Sequence, residues 1–466
     1  MTELSGADKS GTSWNSFLYL LGALAQGFGL VIVQPFTLGI LSDLEWGKLA
    51  IAVSTLQVGV VVTAAGLPFA ITRAYFDPGD GQQKARSISG FLSLTGFGVG
   101  LVVAISYALF EMFAGVDISW HYVIAILVMG MLATVLGGQA ILRAAGRPIA
   151  FIALSIGVSL GANLSGLISA ALIGPTATSY ISGYAVAVAV AVAASLLVAP
   201  VRSPRRSPAV LKEALQIGLP ILPHSVALLL LSQGVVLLLA ATVGPTVAGD
   251  FAKVQIFALA PITLLAALNN SWVPHLMSAT EINLLSRLRI TMSEASLIAF
   301  AIVLLAVCGA NIGTRVLARG DVSLIPVAQI LPLVALGYVL YLMSTTVLFR
   351  HKRTRSMAII TPIVVASAAL VAYAPARDGR LEAVAAIVVL AYLALGATYF
   401  LVARRLSPVG WPMRQYLMCL IAALLVSAGV STIPDTLPAG ILVATLGLVS
   451  TMLGFAIVVR CKKGRP

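Results

Sequence analysis

Apolar segments of membrane-spanning length follow one another along almost the whole chain, separated by short polar turns. About 20 consecutive apolar residues cross a bilayer as one α-helix. Such segments recur from Phe17 to Val459 and leave no space for a soluble domain between them. The pattern predicts fourteen transmembrane helices, at 15–41, 47–72, 87–110, 120–142, 149–173, 179–200, 214–242, 247–274, 289–311, 324–348, 356–375, 382–403, 412–432 and 437–459. The expected fold class is an all-α polytopic membrane protein.

The distribution of Lys and Arg tests this count independently, because cytoplasmic loops of membrane proteins carry an excess of basic residues. With a cytoplasmic N-terminus, most of the 29 basic residues fall in cytoplasmic segments, and Lys253 alone lies within a span. A miscounted helix would invert this alternation from the error onward. We therefore predict that both termini face the cytoplasm.

Composition agrees with a membrane protein and narrows its chemistry. Of the 466 residues, 59% are hydrophobic and 10% are charged, whereas about 25% are charged in soluble domains. The net charge of +13 is explained by basic cytoplasmic loops, so nucleic acid is not an expected partner. Cys308, Cys419 and Cys461 are far apart in sequence and suggest neither a disulfide framework nor a metal site. No cofactor motif is present, and we expect neither a cofactor nor a metal.

The two halves of the chain show a faint internal repeat. The segments "LEWGKLAIAV" and "TVAGDFAKVQ" open the predicted helices 2 and 8, and Gly47 aligns with Gly249. The same offset aligns Arg73 with His275, at the cytoplasmic ends of the two helices. Helices 1–6 and 7–12 share one orientation, so a duplication would produce two parallel six-helix bundles. The alternative is that two basic residues merely end two helices.

Four segments carry a resemblance to a known family. They are "EWGKLAIAVSTLQ", "GLPFAITRAYF", "QAILRAAGRPIAF" and "IGLPILPHSVALLLLSQGVVLL". In this order, within a plan of six, six and two helices, the chain resembles bacterial polysaccharide flippases. That family is the oligosaccharide-lipid branch of a superfamily that also contains multidrug antiporters and peptidoglycan-precursor flippases. Multidrug members typically have twelve helices, whereas the polysaccharide branch often has fourteen.

The resemblance implies two lobes around a central cavity that opens alternately to either side of the membrane. The lobes would be residues 1–200 and 201–403, with two accessory helices and a cytoplasmic tail in 404–466. It also implies a bacterial inner membrane and a polyprenyl-diphosphate-linked glycan as substrate. Membrane lipid and the polysaccharide polymerase or export machinery are the further partners that it suggests.

Basic residues at the predicted cytoplasmic mouth are candidates for holding the diphosphate. Arg73 ends the predicted helix 2, and its guanidinium could bind a diphosphate through paired hydrogen bonds. It could equally act only as the signal that ends a membrane span, or serve both roles. His275 is its counterpart in the repeat, and Arg143 and Arg147 could widen the basic rim or act as ordinary cytoplasmic anchors.

Lys253 is the best candidate within a span, because intramembrane charges are costly and are usually functional. Facing a cavity, its ammonium could attract a diphosphate or an acidic sugar. Its side chain could instead extend to the outer headgroups, or pair with Asp250 three residues earlier. None of the sixteen acidic residues is placed mid-span by these boundaries, which disfavours a cation-binding antiporter.

Uncharged polar residues and prolines complete the predicted site. His224, Gln233, Gln34 and Asn269 could hydrogen-bond sugar hydroxyls, or they could bridge neighbouring helices. Proline removes a helical hydrogen bond that lipid cannot replace, so intramembrane prolines favour cavity borders and bending points. The candidate hinges are Pro35, Pro220, Pro223 and Pro261.

These observations predict a flippase, not an enzyme. It would move a polyprenyl-diphosphate-linked oligosaccharide from the cytoplasmic to the outer leaflet by alternating access, for cell-surface polysaccharide biosynthesis. The first alternative is an ion-coupled multidrug or metabolite antiporter of the same fold. A membrane sugar polymerase or glycosyltransferase is less favoured, because the predicted outer loops are too short to carry catalytic groups.

Overall fold

We describe the protein from a computed structural model, which covers residue 22 and residues 29–204, 208–279, 281–351, 353, 356–407 and 411–463. For 281–282 and 454–463 only the backbone is described. The described residues form α-helices with short turns and no β-strand, which confirms the all-α class for this part of the chain. Most of the predicted helix 15–41 lies outside the described residues.

The helices of the first half run from α1 to α8. They are α1 Gly29–Ile40, α2 Asp43–Ala64, α3 Leu67–Tyr75, α4 Gly81–Phe113, α5 Trp120–Ala144, α6 Pro148–Leu172, α7 Ala177–Val198 and α8 Pro208–Thr242. Within α6, a turn of π-helix covers Gly157–Gly161.

The helices of the second half run from α9 to α16. They are α9 Pro245–Val254, α10 Ile256–Met277, α11 Glu281–Leu317, α12 Val322–Arg350, α13 Met357–Arg377, α14 Leu381–Leu406, α15 Met413–Val430 and α16 Leu437–Lys463.

Twelve of the described helices are long and apolar enough to cross a membrane, and α1 and part of α16 form shorter apolar helices. The chain is thus a multi-pass membrane protein. The count of fourteen spans and the cytoplasmic position of the termini stay predictions.

The predicted helix 47–72 is two helices, because the chain changes direction at Ala65 and Gly66. These residues have φ angles of 48° and 69°, and such values are adopted without steric cost by glycine alone. Gly66 is also required for space, since a Cβ atom there would lie 2.5 Å from the carbonyl oxygen of Gly218 on α8.

The predicted helix 247–274 is also divided, into α9 and α10, with Gln255 between them. α9 begins with Pro245 directly after Gly244, and the φ of 112° at Gly244 requires glycine. Proline is well tolerated in this first turn, because its missing N–H would have no helical partner there.

Helix α8 begins earlier than predicted, at Pro208 instead of residue 214. It tightens into a 3₁₀ turn at Leu219–Ile221, which contains the predicted hinge Pro220. Pro223 lies one residue into the helix that continues from this turn. The interruption follows from two prolines that cannot donate helical hydrogen bonds.

Residue contacts divide the chain into two compact units, Met1–Leu237 and Leu238–Pro466. The boundary lies inside α8. The predicted division into lobes 1–200 and 201–403 and an accessory segment 404–466 stays a prediction.

In unit 1, α4 and α5 pack closely through small residues. A Cβ atom on Gly96 would lie 2.6 Å from the Cβ of Ala133, and one on Gly100 would lie 3.1 Å from the Cα of Gly130. Small residues let helix backbones approach where lipid gives no hydrophobic drive for association.

In unit 2, α12 is almost completely buried. It packs on α14, where a Cβ atom on Gly337 would lie 2.5 Å from the backbone nitrogen of Leu393. Tyr338 and Tyr392 meet edge to face across this contact, with ring centroids 6.1 Å apart. The C-terminal helices α15 and α16 both pack against α11.

Candidate functional site

A cleft in unit 1 lies where α3 ends and where α4 and α8 begin. We call this end of the unit the Arg73 end. The cleft has about 290 Å³ of empty space, part of it open to solvent. It is lined by Ala70, Arg73, Ala74, Asp77, Lys84, Ile88, Val210, Glu213, Ala214 and Ile217. The structure therefore places one predicted site residue, Arg73, in a cleft with a second cation and two carboxylates.

The local sequence explains how the two cations come together. α3 ends at Tyr75, and a turn of five residues leads to Gly81, the first residue of α4. A Cβ atom on Gly81 would lie 2.7 Å from the carbonyl oxygen of Tyr75, so glycine permits this tight connection. As a result, Arg73 in the last turn of α3 and Lys84 in the first turn of α4 line the same space.

The two cations differ in how they are held. Lys84 Nζ lies 3.1 Å from Asp80 Oδ1 and 3.5 Å from Asp77 Oδ2. Arg73 is exposed, and among the described residues no ion pair or hydrogen bond is recorded for its guanidinium. The planar guanidinium is thus available to a ligand. Lys84 would have to give up a contact with one of its carboxylates to bind the same ligand.

The other predicted arginines of this end make separate contacts and do not line the cleft. The Arg143 guanidinium lies 5.7 Å from the ring centroid of Phe151. Arg147 Nη1 donates a hydrogen bond of 2.9 Å to the carbonyl oxygen of Val198. Both side chains are exposed at the Arg73 end, but the structure does not gather them around one ligand position.

A polar network lies deeper in unit 1, between α2 and α8. Gln233 Nε2 donates to Gln57 Oε1 at 3.0 Å, and Ser54 Oγ donates to Gln233 Oε1 at 3.3 Å. Gln233 therefore bridges two helices, which is one of the two roles that the sequence left open. The predicted residues Gln34 and His224 are buried as well.

In unit 2, the structure selects one of the alternatives for Lys253. Its Nζ lies 2.7 Å from Asp250 Oδ1, and the residue is 5% exposed. The ammonium is therefore buried beside a carboxylate and does not extend to the headgroups. A ligand in contact with Lys253 would have to compete with that pairing.

The remaining candidates of unit 2 lie on α10. His275 is exposed near the end of the helix, where its carbonyl oxygen accepts a hydrogen bond of 3.1 Å from Arg287 Nη1. Asn269 Oδ1 is buried and no hydrogen bond is recorded for it in the described part of the chain. Pro261 is buried inside the helix, whereas Pro35 is half-buried in α1.

Sequence reasoning missed Lys84, Asp77 and Glu213 as parts of the cleft. The charge pattern assigns Lys84 only to the basic residues of a cytoplasmic loop. A signal was present in the short connection after Arg73, because two antiparallel helices joined by a tight turn bring their adjoining ends together. Glu213 could not be found in this way, since it reaches the cleft through the packing of α8.

The overall fold is shared with several solved structures. An inward-facing MATE-family multidrug resistance transporter of the MOP superfamily has a TM-score of 0.66 at 14% identity, over 84% of this chain and 95% of that chain. The lipid II flippase MurJ has a TM-score of 0.62 at 14% identity, over 97% of this chain and 98% of that chain. A MOP-superfamily transporter from Pyrococcus furiosus has a TM-score of 0.53 at 18% identity, over 86% of this chain and 96% of that chain.

The chain has the fold of MATE transporters and MurJ. No protein-family model matches the sequence. No curated protein matches it either. At identities of 14% and 18%, the MATE and MurJ similarity establishes the fold and leaves the substrate open. Polysaccharide flippases are one branch of the superfamily that the sequence resembles. Membership of the chain in that branch stays a prediction.

Proposed function

We propose that the protein is a flippase that moves a polyprenyl-diphosphate-linked oligosaccharide across the bacterial inner membrane, from the cytoplasmic to the outer leaflet. The observation that carries this proposal is the cleft of Arg73 and Lys84 in a chain with the MurJ fold. We place the Arg73 end at the cytoplasmic face, in line with the positive-inside rule. The protein would thus meet its substrate where the lipid-linked glycan is assembled.

The cleft has features that suit a diphosphate. A guanidinium offers two parallel N–H donors to one phosphate, and an ammonium acts as a compact charge for the other. The carboxylates of Asp77 and Glu213 in the same cleft would oppose the substrate until it displaces them. That balance favours reversible binding, because a substrate held too tightly at the entrance would not be released at the other face.

The deeper polar network would serve the glycan. The amide of Gln233 donates a hydrogen bond to that of Gln57, and both amides carry further donor and acceptor positions. Sugar hydroxyls could use those positions as the glycan passes. The lipid tail would remain in the bilayer, and we propose that bending at Pro220 and Pro223 accompanies the alternation between the two faces.

Leaflet exchange in proteoliposomes tests the proposal. A labelled polyprenyl-diphosphate oligosaccharide should change leaflets in the presence of the protein. In Arg73→Ala the substrate loses charge-assisted hydrogen bonds that are worth about 1.5–3 kcal/mol. Because Arg73 is exposed, we expect a loss at the low end of this range, which corresponds to an increase of about tenfold in the Kd for the substrate. Arg73→Lys should recover only part of the loss, since it restores the charge but not the planar fork.

Arg86→Ala is the matched control, because Arg86 is exposed on α4 near Lys84 but does not line the cleft. Equal losses in Arg73→Ala and Arg86→Ala would contradict a specific phosphate site. No exchange by the wild-type protein would refute the flippase proposal.

A multidrug antiporter is the second candidate, and the similarity to the MATE transporter with a TM-score of 0.66 favours it. A labelled organic cation assayed in the same vesicles separates the two candidates. Cation transport without glycolipid exchange would establish the antiporter and reduce Arg73 to a residue that ends a helix.

A further inference from the structure

The lysine of the cleft is shared by two carboxylates that differ in position. Asp77 lines the cleft, and its Oδ2 lies 3.5 Å from Lys84 Nζ. Asp80 does not line the cleft, but its Oδ1 lies closer to the same ammonium, at 3.1 Å. Lys84 therefore has one anionic partner inside the cleft and a nearer one outside it.

The backbone that carries these three side chains is held in place. The N–H of Asp77 donates a hydrogen bond of 3.1 Å to a carbonyl oxygen in the last turn of α3, and the N–H of Lys84 donates one of 3.0 Å to the carbonyl oxygen of Asp80. The first turns of α4 are also joined to the segment before α8, because the N–H of Arg202 donates to the carbonyl oxygen of Arg86 at 3.1 Å. We therefore expect Lys84 to change partners by rotation of side chains, with the helices in place.

The ammonium can change one partner and keep the other. It has three N–H donors and no acceptor. The exposed fraction of the side chain is 29% for Lys84, 38% for Asp77 and 60% for Asp80, so water screens both ion pairs and neither is strong. A phosphate that enters the cleft meets Asp77 there and can replace this more distant partner. Asp80 lies outside and can remain beside the ammonium.

We propose that Asp77 is the carboxylate that the diphosphate displaces from Lys84, and that Asp80 positions the ammonium for this exchange. These roles rest on the proposed function, since they belong to the same phosphate site. Asp77 returns to Lys84 when the substrate leaves, and it thereby favours release. Asp80 weakens the hold of Asp77 on Lys84, because the two carboxylates repel each other and attract the same positive charge.

The two aspartates should act in opposite directions on the Kd for inorganic diphosphate, measured by calorimetry on the purified full-length protein. Asp77→Asn removes the competitor and should lower the Kd about two- to fivefold, the effect of an exposed ion pair. Asp80→Asn leaves the ammonium to Asp77 alone and should raise the Kd by a similar factor. If only the general loss of negative charge mattered, both variants would lower the Kd. A lower Kd in Asp80→Asn, or an unchanged Kd in Asp77→Asn, would overturn the proposal.

Two further variants serve as controls. Asp43→Asn removes the same charge from an exposed position at the start of α2, outside the cleft, and should bind diphosphate as the wild type does. Lys84→Met tests whether Asp80 acts through the ammonium. Adding Asp80→Asn to Lys84→Met should not raise the Kd further, and a rise as large as that in the wild-type background would contradict a positioning role for Asp80.

Leaflet exchange of the labelled glycolipid tests the role of Asp77 in release. In Asp77→Asn we expect both KM and kcat to fall, because a substrate that is held more tightly leaves more slowly. In Asp80→Asn we expect KM to rise. A lower KM with an unchanged kcat in Asp77→Asn would show that this carboxylate does not assist release.

The same measurements distinguish failure of this proposal from failure of the proposed function. Glycolipid exchange and diphosphate binding that depend on Arg73, with wild-type binding in Asp77→Asn, would leave the flippase in place and refute the role of Asp77. A wild-type protein that neither binds diphosphate nor exchanges the glycolipid would refute both.

Discussion

Replacing Gly66 with alanine should destabilise unit 1 in two ways, through an unfavourable backbone conformation and through overpacking. Gly66 has a φ of 69°, and the left-handed conformation costs a residue with a Cβ atom about 1–2 kcal/mol. The new methyl carbon would also lie 2.5 Å from the oxygen and 2.8 Å from the Cα of Gly218. These are backbone atoms that cannot rotate away, so a further overpacking cost of about 1–3 kcal/mol is expected.

The total for Gly66→Ala is therefore about 2–5 kcal/mol of unfolding free energy. Two other glycines separate its two components. Gly79 has a φ of 84°, and a methyl group added there would meet no atom within 4 Å, so Gly79→Ala should lose only the conformational part. Gly98 is helical and also unobstructed, so Gly98→Ala should be neutral or slightly stabilising.

The measurement is the unfolding of the purified protein in mixed micelles, followed by circular dichroism as sodium dodecyl sulfate is increased. The detergent concentration at the midpoint of unfolding should be highest for Gly98→Ala, intermediate for Gly79→Ala and lowest for Gly66→Ala. Gly66→Ala should also weaken diphosphate binding, because the contact with Gly218 holds α8 beside the cleft. A midpoint for Gly66→Ala equal to that of Gly79→Ala would refute the view that the backbones of α3 and α8 meet without space for a side chain.

Three further predictions concern buried contacts, and each is measured by the same unfolding assay. Tyr180→Phe should cost about 1–3 kcal/mol, because it leaves Asn163 Oδ1, now 2.9 Å from the Tyr180 hydroxyl, without its buried donor. Asp250→Asn should destabilise unit 2 by leaving the buried Lys253 ammonium without its ion pair, and adding Lys253→Met to that variant should restore part of the loss. Gly337→Ala should separate α12 from α14 and cost about 1–3 kcal/mol, and a cost below about 0.5 kcal/mol would show that the two helices can move apart freely.

The sequence by itself determined the features that depend on the surrounding lipid and water, which are the positions of the helices and of the charges at their ends. A bilayer requires long apolar segments with internally satisfied backbones, so hydropathy alone located the helices to within a few residues for most spans. It also placed Arg73, Arg143 and Arg147 beside helix ends, because a charge is disfavoured within the lipid. The all-α class followed from the same constraint, and the MATE and MurJ fold agrees with it.

The sequence did not reveal which face of each helix meets protein and which meets lipid. In a soluble protein the polar face marks the exterior, but here both surroundings are apolar and the period of the pattern is lost. For this reason the pairing of Lys253 with Asp250 remained one alternative among three, and the bridge formed by Gln233 remained one of two.

Only the tertiary structure decided which groups share a site. Lys84 joins Arg73 because a tight turn connects α3 to α4, and Glu213 joins them because α8 packs on α3. Such arrangements depend on distances between residues far apart in sequence, and local hydropathy contains no information about those distances.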